Sequence, residues 1–205
     1  MAGRPKLAAE AIEQRRHDIE RAAAKLFALK GYSGTQIADI AAELGIGHGT
    51  VYRYFQDKAA VFGAVIRYSI MRVAGALIAE QPNMATLDAY QAQVRRIGDR
   101  LFDLVIAEPE ITRLLLSLAP AERDAGLLVE QAMDTFAVMT EAYLKNGQER
   151  GYLRKNLDSE VAARAINAMI LEGARQVLGA ADPVKTKEKW SRTIPQLFLR
   201  GARAE

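Results

Sequence analysis

The stretch Thr35–Lys58, TQIADIAAELGIGHGTVYRYFQDK, constrains the fold more than any other part of the chain. Ile37, Ile40, Ala41 and Leu44 recur at helical spacing, and the pattern stops at Gly45. A second short segment opens a few residues on and runs through Gly49–Phe55. Apolar residues three and four apart mark one buried helical face, and a glycine just past the last of them ends a helix. Two short helices joined by a glycine-bearing turn read as a helix-turn-helix.

Geometry sorts the faces of the second helix. At about 100° per residue, Val51 and Phe55 share a face that packs inward. Gly49 and Arg53 then point outward, with His48 and Tyr52 on one flank and Thr50 and Tyr54 on the other. A guanidinium, an imidazole, a hydroxyl and two phenols are groups that bind phosphates and base edges. The glycine permits close approach.

The pattern T-x-I-x-x-I-A-x-x-x-G-I-x-x-G-T-V-Y-x-Y-F-x-x-K, carried by Thr35, Ile37, Ile40, Ala41, Gly45, Ile46, Gly49, Thr50, Val51, Tyr52, Tyr54, Phe55 and Lys58, resembles the DNA-binding domain of the TetR/AcrR family of transcriptional regulators. The resemblance covers roughly residues 16 to 63. Gly47 stands where the family usually has a serine-like cap, a change costing only a few tenths of a kcal/mol. The resemblance implies that Gln36, in the first turn of the first motif helix, touches the DNA backbone. It also implies that Lys58, with the N–H groups beside it, holds a phosphate as a helix N-terminus does. The expected DNA-binding set is Arg4, Thr35, Gln36, Gly47, His48, Gly49, Thr50, Tyr52, Arg53, Tyr54 and Lys58.

The rest of the chain reads as helices. Residues 1 to 8 look unstructured, and Gly3-Arg4-Pro5-Lys6 is either a basic arm of the kind that enters A·T-rich minor grooves or a frayed tail. A first helix runs from about Ala9 or Arg16 to Lys30, with Arg15, Arg16 and Arg21 facing phosphate or solvent, and Gly31 ends it. Thr35 is a suitable N-cap for the next helix, and Asp57 for the one that starts at Lys58. Long segments follow: about Ala59–Ile78, broken at Gln81-Pro82-Asn83; Thr86–Ala107; Ile111–Leu118; Ala121–Arg150; Ser159–Leu178; and Thr186–Arg203, which contains Pro195. With no alternating strand and no repeat, the expected fold is all-α, about nine helices: a head at 1–60 and a helical bundle at 61–205.

Ala162, Ile166, Met169 and Gly173 form one stripe at helical spacing, and Trp190, Ile194, Leu197 and Gly201 another. Such stripes either cover the chain's own core or meet a second copy; the resemblance implies a homodimer through the last two helices. Two-fold symmetry would set two recognition helices one DNA turn apart. The resemblance also implies an apolar effector site among the middle helices, for which Met71, Leu101, Phe102, Val105, Leu115, Met133, Phe136, Met139, Tyr143 and Met169 are candidates; residues of this kind at helical spacing are more often plain core.

Composition excludes other chemistries. The chain has 205 residues, half of them hydrophobic, and no cysteine, so no disulfide or thiolate site is available. Its two histidines, His17 and His48, sit in no cluster with metal-ligand spacing. Gly45-Ile46-Gly47-His48-Gly49 follows a helix rather than a strand and is not a phosphate loop, and no G-x-S-x-G is present. No catalytic residue, metal or cofactor is expected. No apolar run is expected to approach a membrane span, and the expected location is cytoplasmic. The net charge of +3 is weak evidence for nucleic acid; placement carries that argument. The expected function is thus a ligand-responsive DNA-binding regulator, most simply a repressor with a pseudo-palindromic duplex operator. The competing reading is a helical enzyme or small-molecule carrier.

Overall fold

The computed structural model describes residues 3–78, 85–117 and 123–202, and among them all regular structure is α-helical. In chain order the helices are α1 (Gly3–Lys30), α2 (Ile37–Glu43), α3 (His48–Tyr52), α4 (Lys58–Ile78), α5 (Leu87–Ala107), α6 (Pro109–Ser117), α7 (Arg123–Glu149), α8 (Ser159–Gly179) and α9 (Pro183–Ala202). The expected break at Gln81-Pro82-Asn83 lies outside the described residues, as does the junction expected between Leu118 and Ala121. One compact unit takes in Met1–Ser69 with Arg113–Val129, and a second takes in Ile70–Thr112 with Glu130–Glu205. The first therefore extends past the boundary expected at 60 and includes a later segment.

Helix ends follow local chemistry. Gly45 has φ +64°, and beyond it Ile46 N–H bonds back to the Ala41 carbonyl at 3.0 Å and Gly45 N–H to Ala42 at 3.1 Å. That pair of bonds is the left-handed glycine stop of α2. Asp57 accepts from Ala60 N–H at 2.7 Å, Thr86 from Ala89 N–H at 3.2 Å and Asp158 from Val161 N–H at 3.1 Å, each binding a donor that the first helical turn leaves without an intrahelical partner.

Two ends differ from expectation. α1 begins at Gly3 rather than at Ala9 or Arg16, so the backbone of Arg4 lies in a first helical turn and not in an extended arm. The reason is that Pro5 falls within that turn, where its missing N–H removes no helical bond, and the next residues are strong helix formers. The N-cap of α2 is Gln36, not Thr35. Thr35 is fully buried and its hydroxyl donates to the Gly31 carbonyl at 2.8 Å.

The first unit is built around Phe27 and Phe62, which meet edge to face at 5.2 Å, with Tyr32 against both rings at 5.7 and 5.0 Å. Ile19, Ala23, Ile40, Val51, Val61 and Val65 are fully or almost fully buried. The expectation that no segment approaches a membrane span needs correction: Lys58–Leu77 is long and apolar enough by length and composition. The structure uses that apolarity internally, since Val61, Phe62, Val65 and Ile66 are core residues.

In the second unit α5 packs on α8 and α9. Phe102 and Val105 meet Ala174, Val177 and Ile194, with Met169 and Trp190 against them. Tyr90 joins Leu144, Leu153, Ala163 and Leu199, with Ala162 and Ile166 packed on that cluster. Leu77, Ile97 and Leu101 form a third cluster with Met139, Tyr143 and Ile170. Gly173 is demanded by packing: a Cβ there would lie 2.8 Å from Phe102 Cζ and 3.0 Å from Trp190 Cδ2. Gly173→Val is therefore expected to cost about 1–3 kcal/mol of stability by overpacking, read as a lower urea midpoint at unchanged m-value.

Candidate nucleic-acid interface

The face of α3 follows the helical-wheel reading. Val51 is fully buried and Phe55 nearly so, while His48, Gly49, Tyr52 and Arg53 are exposed and Thr50 and Tyr54 half-buried. The last residue of α3 is Tyr52, yet Phe55 N–H still bonds to the Val51 carbonyl at 3.0 Å. The helical turn thus carries Arg53 at the C-cap and holds Phe55 beneath it. Gly47 is the exposed N-cap of α3, in extended conformation.

α2 buttresses this helix with Ile37, Ile40 and Ala41, all buried. Gln36 is exposed at its N-cap, where its own N–H is held by Asp39 Oδ2 at 2.8 Å. That backbone bond, followed by the Lys30 ammonium at 3.1 Å, keeps the Asp39 carboxyl below its ordinary range. Asp39 is thereby tied up at the start of α2.

Two expected contacts are not where sequence placed them. The Thr35 side chain is interior, so it cannot present its hydroxyl to a duplex. Lys58 is half-buried and turned inward: its Nζ donates to the carbonyls of Tyr32 at 2.9 Å and Thr35 at 3.0 Å and lies 4.4 Å from the Tyr32 ring centroid. Arg16, read only as a possible phosphate contact, stacks 5.1 Å over Phe55 and pairs with buried Glu20 at 3.4 Å. The Lys58 contacts and the Arg16–Phe55 stack have no short-range sequence signature, whereas the Arg16–Glu20 pair, at i and i+4, has one. Arg15 and Arg21 remain exposed.

Other sequence candidates divide. Met71 is 72% exposed, so it does not line an interior site. Solvent takes its side of α4. Leu115 belongs to the first compact unit, whereas Leu101, Phe102, Val105, Met133, Phe136, Met139, Tyr143 and Met169 belong to the second. Of the two stripes expected at a dimer interface, Gly173 and Ile194 are buried in the chain's own core, and Ala162, Ile166, Met169 and Trp190 pack on it; Leu197 and Gly201 are exposed. α8 carries small or apolar residues on both faces, so spacing alone could not say which turns inward. Among the described residues there is no group of three potential metal ligands.

Residues 19–65, which include all of this helix-turn-helix, match the family model for bacterial regulatory proteins of the tetR family. That segment is a helix-turn-helix of the tetR type. It is 27% identical over 139 residues to the HTH-type transcriptional regulator HbdR of Aromatoleum sp. (strain CIB), a match covering 68% of this chain and 53% of that protein, so it spans about half of that relative's length. It is 28% identical over 147 residues to the HTH-type transcriptional repressor SCO4008 of Streptomyces coelicolor, covering 72% of this chain and 71% of the repressor. The fold resembles that of the fatty acid degradation regulator FadR from Bacillus halodurans, with TM-score 0.78 and 23% identity over 91% of this chain and 99% of that one. The relatives matched over most of this chain are named as transcriptional regulators, which favours the regulator reading over the enzyme or carrier reading.

Proposed function

We infer that this protein is a TetR-family regulator, a cytoplasmic repressor that binds a pseudo-palindromic operator as a homodimer and is released by a small apolar molecule. The observation that carries the DNA-binding part is the bare outer face of α3: Val51 and Phe55 anchor it while Arg53, His48 and Tyr52 stay exposed. Gln36, Gly47, Gly49, Thr50 and Tyr54 complete the proposed contact surface. A gel shift with the duplex upstream of its own gene tests this. Binding no tighter than to a random duplex of equal length would overturn it.

The homodimer is proposed to form through the outward faces of α8 and α9. Val161, Ala165 and Ala168 stand exposed at i, i+4 and i+7 on α8, and Leu197 is 63% exposed on α9. Small side chains allow close helix approach. Further along α8, hydrogen bonds from Arg175 and then Gln176 hold the Glu172 carboxyl down to about 2, so this pair stays ionised well into acid solution. Ala168→Arg is expected to shift the sedimentation profile from dimer to monomer at micromolar concentration with an unchanged helical spectrum. A dimer that persists would move the interface elsewhere.

An apolar effector is proposed to bind among Leu101, Phe102, Val105, Met133, Phe136, Met139, Tyr143 and Met169. The likeness to a fatty acid degradation regulator makes an acyl chain a first candidate. To move a population from 99:1 on the operator to 1:99, it must favour the released form by about 5.5 kcal/mol. An acyl compound that leaves the gel shift unchanged at saturation is not the effector.

A further inference from the structure

One side chain ties the start of the helix-turn-helix to its end. Lys58 Nζ reaches back 23 residues to the Thr35 carbonyl, and also to the Tyr32 carbonyl. Its charge lies over the Tyr32 ring, and that ring packs edge-on against Phe62, one turn further along α4. The connection from 31 to 36 forms no helix, so its carbonyls need partners from elsewhere. The Gly31 carbonyl accepts from the Thr35 hydroxyl, and those of Tyr32 and Thr35 accept from Lys58. An ammonium on two carbonyls and an aromatic face is already well solvated by protein. Reaching out to a phosphate would mean giving those partners up.

We propose that Lys58 is a positioning residue: a clasp that joins the two ends of the helix-turn-helix and so sets where α3 stands, rather than a ligand for DNA phosphate. α2 starts at Ile37, just past the clasped carbonyls, and α3 leads through residues 53 to 57 to α4, whose first residue is Lys58. With the clasp closed, 35 to 58 is a ring whose ends cannot separate. With it open, α2 and α3 keep their buried anchors Ile40 and Val51 but lose the tie between their outer ends, and a small misplacement of α3 removes base contacts before it removes charge attraction. The proposal rests on the DNA-binding reading above.

The test uses Lys58→Met, which keeps the stem and removes the charge. Affinities of the variant and the parent protein for the operator duplex and for a random duplex are measured across a salt series. A clasp predicts at least a roughly tenfold loss on the operator, a random-duplex affinity within about twofold, and an unchanged slope of log affinity against log salt. Parallel losses on both duplexes, with the slope magnitude lower by about one unit, would make Lys58 a phosphate ligand and overturn the proposal. Unchanged affinity for both would overturn it as well. If Lys58→Met does not fold, amine acylation of the parent protein without DNA decides the matter. Lys58 should react at least about tenfold more slowly than exposed Lys155 and Lys189, since its amine is half-buried and donated to two carbonyls; equal rates would overturn the clasp. A parent protein that prefers no duplex would sink the DNA-binding reading instead, and the acylation result would still stand on its own.

Discussion

Phe27→Ala is expected to lower the stability of the head by about 3–5 kcal/mol, the usual cost of deleting a fully buried phenyl ring. The ring has no solvent exposure and meets Phe62 edge to face and Tyr32 in a near-stack. Its removal therefore forfeits apolar burial and two ring contacts at once. The cavity would open between α1 and α4, where Ile19, Ala23, Val61 and Val65 are already fixed and have little room to close it. Against a total stability of roughly 5–15 kcal/mol for a domain, such a loss leaves the head marginal. Thermal unfolding followed by circular dichroism should show the loss as an early transition. Phe27→Leu, which keeps most of the volume, should recover much of it. A Phe27→Ala protein that unfolds with the parent would mean that the three-ring cluster does not carry the head.

Much of this architecture could be read from residues alone, and the reason is local. The α2 stop needs a left-handed residue, and Gly45 is one; the inward face of α3 needs apolar groups four apart, and Val51 and Phe55 are such a pair. Signals within one helix turn, or one turn past its end, survive in sequence because the chain itself brings those atoms together. Lys58 fails the same test because its partners lie 23 and 26 residues back, which no periodicity reports; the Thr35 hydroxyl instead makes a local bond to the Gly31 carbonyl four residues back, which competes with capping. Arg16 on Phe55 is the same case as Lys58. The stripes on α8 and α9 fail differently. Gly173 looked like a close-approach residue and is one, but its neighbours are Phe102 and Trp190 of the same chain. A small residue announces that something comes near, not which molecule it belongs to.

Arg53→Ala is expected to weaken operator binding by about 1–3 kcal/mol, roughly 5- to 150-fold, with the loss concentrated at one base position. The side chain is exposed at the C-cap of α3, with its backbone N–H bound to the Thr50 and Val51 carbonyls, so its placement comes from the helix and its truncation leaves the fold intact. Arginine reads guanine by a bidentate pair in the major groove, and losing that pair relaxes preference only at the base it touched. A phosphate contact would behave otherwise, weakening all sequences alike and lowering the salt slope. Binding measured on a set of single-base operator variants separates the two. The contrast with Lys58 sharpens the outcome: both are cations of the same motif, but one faces outward with its backbone fixed and the other is turned onto the protein's own carbonyls. Truncating Arg53 should therefore change which base the protein prefers, while truncating Lys58 should reduce preference for the whole operator over random duplex. If Arg53→Ala left affinity and base preference unchanged, the outer face of α3 would not be the surface that reads DNA.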